Sequence, residues 1–370
     1  MDYYKILNEK ECHYNLQYKT GLNIDPVEFR PHGDCESGGI YFSREDIFAF
    51  LSYGPWIRKV TLPEDAQIYE NPGKPKKWKA DKIILDEREE ITAEVIKRLI
   101  DEGADLNINN NYLLRWAACN GYTEIVKLLI PISDPNTNNN KALYFAAEYG
   151  YTEMVKLLLP VLDLKANYNE ALQNAAVNGH TEIVKLLIPL SDPKIENNYA
   201  LRYAAEKGYT EIVKLLIPVS DPKSYHSYAL RCAAEYGYTE IVRLLIPVSN
   251  PKTCHNYALR CAAENGHTEI VKLLIPVSDP KANHSHALRW AAINGHTEVV
   301  KLLIPVSDPK VNDNHALRWA AESGHIDIVK LLIPVSEIND NVINFCNEYC
   351  HNPEILDLII TNKKKHFIIF

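Results

Sequence analysis

The chain has 370 residues, is 46% hydrophobic and 24% charged, and carries a formal net charge of −8, a composition that suits a folded protein with a large interior and excludes wholesale disorder. The negative balance argues against nucleic acid or an anionic membrane surface as the main partner. No run approaches the roughly 18 apolar residues that a membrane-spanning helix needs.

Residues 1–85 share no repeat with the rest and hold much of the glycine, proline and aromatic content, so a separate small α+β domain is expected there, with no task assigned. GGIYF, at 38–42, reads as a buried strand entering from a glycine turn. Ser43 is then placed to cap a helix in REDIFAFLSYG, with Asp46 in its first turn. IRKVTLP and AQIYE are β-rich runs broken by Pro63, and the alternation in KPKKWKADKIIL fits one last strand. The charge run DEREE at 86–90 reads as a boundary, and Ile91 to Asn107 as a degenerate helical unit (86–107) that opens the next region.

From 108 to 336 the chain repeats. Glycines at 121, 150, 179, 208, 237, 266, 295 and 324 are each 29 residues apart, and eight copies at one period mean a solenoid. In the copy NYALRYAAEKGYTEIVKLLIPVSDPK, Ala200, Leu201, Ala204 and Ala205 form a small-residue stripe on a first helix. Gly208 supplies the positive φ that ends it. Thr210 is placed to cap a second helix with Glu211 in its first turn. Ile212, Val213, Leu215, Leu216 and Ile217 make an apolar face that only neighbouring copies can cover. Pro218 ends or kinks that helix, and Ser220, Asp221 and Pro222 read as a turn. Residues 337–370 keep helical spacing but have His351 where glycine is expected and Pro353 early in the second helix, so they read as a C-terminal cap and tail.

The run ALRYAAEKGYTEIVKLLI resembles the helical part of an ankyrin repeat, T-P-L-H-x-A-A-x-x-G-H-x-E-I-V-K-L-L-L, and the family's G-A-D-L-N ending stands at 103–107. Two departures are visible. Arg202, Arg231, Arg260, Arg289 and Arg318 replace the family's histidine, and the period is 29 where 33 is usual. The resemblance implies a mostly α, ankyrin-type helical solenoid whose finger loops are shortened or lack hairpin pairing. The spelling IPVSDPK at this period also resembles ankyrin proteins of giant DNA viruses of amoebae.

In ankyrin repeats the two residues before the turn glycine face the concave groove. The resemblance therefore implies a partner-reading row that includes Tyr149, Glu206, Lys207, Glu235, Tyr236, Glu264, Asn265 and Asn294. The glutamates stand four residues after arginines in four copies, so an Arg–Glu pair along the first helix is the competing structural account. His226, His255 and His284 lie one period apart in the loops and are expected to form a ladder along the array, either a solvated edge or, on the functional reading, a pH-sensitive strip that reads a partner. His180, His267, His296 and His325 follow the turn glycine, where tyrosine stands in other copies, which suits packing. Cys232 and Cys261 occupy a position that other copies fill with Trp, Phe or Tyr, and are expected to fill space there.

No nucleophile–base arrangement, phosphate-binding glycine loop or metal spacing is found in the repeats. In the first domain, GLNIDPVEFRPHGDCESGGIYFSREDIFAF resembles the G-L-x-I … G-x-G-I-Y-F-A-D part of poly-ADP-ribosyltransferases. That resemblance implies Tyr41 as the tyrosine stacking on nicotinamide, but the family's upstream H-G pair and downstream catalytic glutamate have no clear counterpart, His13 and Glu70 being only guesses for them. Cys12, His13, His32 and Cys35 are the one set that could be proposed for zinc. The reading is an intracellular, monomeric scaffold that binds a protein, a host protein by the viral resemblance, on the concave face. It is not an enzyme and uses no cofactor or metal; an NAD-dependent transferase domain targeted by the array is the alternative.

Overall fold

The computed structural model describes residues 1–13, 16–32, 37–163 and 167–367, and the chain divides into two compact units, residues 1–186 and 187–370.

The first unit opens with strands. β1 (Tyr3–Leu7), β2 (Cys12–His13), β3 (Leu16–Gln17), β4 (Gly21–Ile24), β5 (Ile40–Phe42), β6 (Trp56–Thr61), β7 (Ile68–Asn71), β8 (Lys77–Ala80), β9 (Lys82–Leu85) and β10 (Glu89–Glu90) are all paired antiparallel. One sheet runs β1-β6-β9-β4 with β10 also on β6, a second runs β5-β8-β7, and β2-β3 is a hairpin. Leu7, Tyr18, Ile40, Phe42, Val60, Trp78, Ala80, Ile83 and Leu85 form the core between them.

Three expectations for this region are corrected. KPKKWKADKIIL makes two strands in different sheets, because Asp81 leaves the ladder to accept the Gln67 amide at 2.8 Å and its carbonyl takes the Asp25 amide. Ser43 caps nothing: its backbone pairs with Tyr4 in both directions, and its hydroxyl donates to Lys76 O at 2.8 Å. The segment it was to cap is a 3-10 helix, Ile47–Tyr53. Strand pairing also carries past Leu85, since Glu89 and Glu90 pair with Ile57 and Trp56.

The helices follow. α1 (Ala93–Asp101) is capped by Thr92, whose side chain accepts from the Val95 amide. Then come the pairs α2 (Tyr112–Cys119) and α3 (Thr123–Leu129), α4 (Thr137–Glu148) and α5 (Thr152–Leu158), and α6 (Tyr168–Val177) and α7 (Thr181–Leu187). α1 packs on α3, while α2 packs on α4 and on the Ile47–Tyr53 turn. That turn supplies the first-helix neighbour that the half unit before α2 lacks. The junction is fastened by Tyr4 Oη on Glu102 Oε2 at 2.9 Å and by the Asp105 amide on Glu45 O at 2.7 Å.

In the second unit the pairs are α8 (Ile195–Glu206) with α9 (Thr210–Leu216), α10 (Ser224–Glu235) with α11 (Thr239–Leu245), α12 (Thr253–Glu264) with α13 (Thr268–Leu274), α14 (Ala282–Ile293) with α15 (Thr297–Leu303), α16 (Val311–Glu322) with α17 (Ile326–Leu332), and α18 (Asp340–Tyr349) with α19 (Pro353–Phe367). First helices pack in sequence from α8 to α18, and second helices likewise from α9 to α19. Ile212, Val213 and Leu216 are fully buried, whereas Leu215 and Ile217 are half-buried at the rim, so the covered stripe is narrower than expected. Pro218 sits in a 3-10 turn, Ile217–Val219, that ends α9. Thr210 does not cap α9, since its hydroxyl turns back to Gly208 O. Gly208 has φ +81, and a Cβ there would lie 2.7 Å from Tyr238 Cε1, so both the backbone conformation and the ring of the next copy require glycine.

The loops carry a feature that the repeat pattern concealed. Three consecutive residues in each of several copies, among them 196–198, 225–227, 254–256, 283–285 and 312–314, are left-handed, with φ between +49 and +59. Such runs are costly for L-residues, least so for asparagine. The last residue of each triple is buried Asn or Ser. Its side-chain oxygen accepts a backbone amide from the turn that closes the copy: Asn198 from Asp221 (2.7 Å), Ser227 from Asn250 (3.0 Å), Asn256 from Asp279 (2.9 Å), Ser285 from Asp308 (2.9 Å) and Asn314 from Glu337 (2.8 Å). Among the described residues no strand occurs after Glu90, so this buried ladder stands where hairpin fingers would be.

Candidate partner-binding face

In the second unit each first helix ends on the residue pair that precedes the turn glycine. Lys207, Tyr236, Asn265 and Asn294 are exposed at one position of four successive copies, and Glu206, Glu235 and Glu264 beside them are half-buried. Tyr149 has the equivalent place in the first unit and is 49% exposed, its ring parallel to Phe145.

The row is fixed from below. His267, His296 and His325 each place Nε2 2.9–3.0 Å from a backbone carbonyl of the previous copy, those of Glu235, Glu264 and Ile293. In the first unit His180 does the same to Glu148 O at 2.9 Å. These histidines are spacers between copies. Glu206 and Glu235 receive hydrogen bonds from Tyr228 Oη (3.3 Å) and Tyr257 Oη (3.4 Å) of the following copies. The carboxylates of Glu235 and Glu206 push the Tyr236 phenol up, which marks the row as electronegative.

The anticipated Arg–Glu pairs along the first helix are not among the ion pairs of the described residues. Helical side chains lean toward the N-terminus, so Arg202 reaches back to Glu196 O (3.0 Å), Arg231 to Tyr225 O (3.3 Å), Arg289 to Asn283 O (3.2 Å) and Arg318 to Asn312 O (2.9 Å). The guanidinium groups also stack in an aromatic ladder. Arg202 lies 5.2 Å from Tyr228, and Arg231 lies 5.2 Å from Tyr228 and 5.1 Å from Tyr257. The arginine that replaces the usual histidine thus holds the left-handed turn and joins copies. Sequence reading missed this role, although tyrosine at 199, 228 and 257, three residues before arginine, was its visible signal.

His226, His255 and His284 are exposed and each is the middle residue of a left-handed triple. They stand at the opposite end of the first helix from the glutamates, nine residues earlier in each copy, so the two predicted sets form separate edges. Cys232 and Cys261 are buried and their thiols are pushed up to about 11 by that burial, which makes them space-filling groups. Of the set considered for zinc, Cys35 lies outside the described residues. Among those described, no group of three metal-binding side chains is assembled, and no helix is long and apolar enough to cross a membrane.

Residues 89–171, 161–226, 201–284 and 259–344 match the family model described as ankyrin repeats (3 copies). A putative ankyrin repeat protein of Acanthamoeba polyphaga mimivirus is 36% identical over 140 residues, which cover 34% of this chain and 46% of the relative. An uncharacterized protein of the same virus is 38% identical over 133 residues, 35% of this chain and 96% of the relative. Another putative ankyrin repeat protein is 36% identical over 139 residues, 35% of this chain and 66% of the relative. The chain therefore spans about half of the first relative and nearly all of the second.

Proposed function

The chain belongs to the ankyrin repeat family, and from that premise we propose that it is an intracellular, monomeric scaffold that binds a host protein along its row of first-helix ends, chiefly Glu206, Lys207, Glu235, Tyr236, Glu264, Asn265 and Asn294, with Tyr149 in the same position of the first unit. The observation that carries this reading is the persistence of exposed, chemically varied side chains at one position of successive copies, just after the buried small-residue stripe of each first helix. The half-buried carboxylates beside them set the sign of the partner: a surface bearing lysine or arginine, steered by charge. His226, His255 and His284 form a second exposed edge at the other end of the first helices.

The test is capture of a partner from host lysate by the full chain, followed by titration of that purified partner. Reversing Glu206, Glu235 and Glu264 to lysine together is expected to weaken binding at least tenfold and to change its salt dependence. Unchanged affinity and salt dependence would reduce the row to solvated helix surface.

The transferase alternative is weaker on physical grounds. Tyr41 does border a cavity, but Lys77 Nζ and Lys79 Nζ stand 5.3 and 5.2 Å from its ring centroid, and a cationic nicotinamide stacked there meets like charge. Calorimetric titration of the full chain with NAD separates the two: saturable heat that is lost in Tyr41→Ala would restore the enzymatic reading.

A further inference from the structure

β1 alternates faces, and in YYKIL the third residue falls on the same face as Tyr3 and Leu7, both of which pack in the domain core. That residue is Lys5. It is 7% exposed, its ammonium donates to Tyr41 O at 2.7 Å and lies 4.7 Å from the Tyr18 ring centroid. Among the described residues no carboxylate hydrogen-bonds or ion-pairs with it. Buried lysines are almost always paired with an opposite charge, so among the described residues the arrangement lacks an anion.

Lys5 borders a cavity of about 80 Å³ in the first domain, room for several water-sized groups where about 10–15 Å³ holds one. The cavity is lined by His13 and Lys77, which are basic, and by apolar and aromatic groups that include Phe42, Phe50 and Tyr53; no Asp or Glu lines it among the described residues. The nearby Asp25 carboxylate is held by the amides of Val27 (2.9 Å) and Gly39 (2.7 Å). We propose that this cavity binds a small organic carboxylate, its anionic head on the Lys5 amine and its apolar body against Phe50 and Tyr53.

Burial pushes the Lys5 ammonium down to about 7, so at pH 8 most of the free amine is neutral. An anion favours the charged form and must draw a proton in. The titratable groups around it are Tyr4 on β1, His13 and Cys12 on β2, Tyr18, Tyr41 on β5, Tyr53, Lys77 on β8 and Asp25. His13, held down by burial and by Lys5, is the other basic side chain besides Lys77 that lines the cavity.

The experiment is calorimetry of the full chain with benzoate at pH 8 in two buffers of different ionisation enthalpy. Saturable binding with uptake of close to one proton is expected, with affinity falling roughly tenfold per pH unit above 7. His13→Gln should keep the uptake. Lys5→Met should keep the circular-dichroism spectrum and thermal melt, since an apolar chain of similar length replaces a buried amine that no carboxylate pairs with among the described residues, and lose binding. No saturable heat at millimolar benzoate overturns the proposal, as does binding that Lys5→Met retains or that takes up no proton. Benzamide, neutral and of the same shape, and inorganic phosphate are the controls. Binding of benzamide without benzoate would favour the nicotinamide reading, and binding of phosphate without benzoate would reassign the cavity to inorganic anions.

Discussion

Asn256→Ala removes one rung of the buried Asn/Ser ladder. Asn256 is 4% exposed, has φ +59, and accepts the Asp279 amide at 2.9 Å. Two costs combine. Leaving that partly buried amide without an acceptor costs about 1–2 kcal/mol, and alanine in the left-handed region costs about 1 kcal/mol more than asparagine, for a sum of about 2–3 kcal/mol. Asn256→Gly relieves the backbone but not the lost bond, so about 1–2 kcal/mol is expected from the same bond energetics. Asn256→Ser reproduces what stands at Ser227 and Ser285 and should cost under about 1 kcal/mol. Urea denaturation followed by circular dichroism ranks the three. Hydrogen exchange localises the effect, with Asp279 losing protection in the alanine and glycine variants and keeping it in the serine variant. Equal stability of alanine and serine variants, or an Asp279 amide as protected in the alanine variant as in the parent, would refute the account.

Gly266→Ala places a Cβ 2.6 Å from His296 Nδ1 at a backbone φ of +73, whereas Gly324→Ala at φ +78 meets nothing within 4 Å. The second should cost only the backbone term of about 1 kcal/mol, and the first about 2–4 kcal/mol because the ring and its bond to Glu264 O must give way; melting temperatures of the two variants check the order. Leu216→Ala, fully buried, is expected to cost about 2–5 kcal/mol, and Leu215→Ala, at the rim, less than half of that in the same denaturation assay. Burial, followed by Arg260 and Arg289, holds His286 down to about 4 from 6.5, and burial with Arg289 and Arg318 does the same to His315. Each binds fewer protons folded than unfolded, so stability should fall as pH drops from about 6.5 to about 4. Replacing both by tyrosine, the residue of copies 199, 228 and 257, should flatten that part of a pH–stability curve.

The solenoid was legible because its determinants are local and repeated. A glycine every 29 residues, a small-residue stripe and an apolar second helix each specify their element within one unit, and eight repetitions remove ambiguity. The exposed row was legible for the same reason, as the position directly before each glycine. What sequence left undecided depends on partners distant in the chain. KPKKWKADKIIL alternates like one strand, and only pairing with β5 and β7 on one side of Asp81, and with β4 and β6 on the other, splits it. The Arg–Glu spacing was favourable on a lone helix, but the guanidinium turns back to the first left-handed carbonyl of its own copy and lies between its own tyrosine ring and that of the next copy. The burial of Lys5 is likewise set by Tyr41 and Tyr18, residues far along the chain whose approach no β-strand pattern announces. Periodicity fixes what a residue does within its own element, while the direction in which a long polar side chain turns is settled by whichever neighbour the packed structure brings within hydrogen-bonding reach.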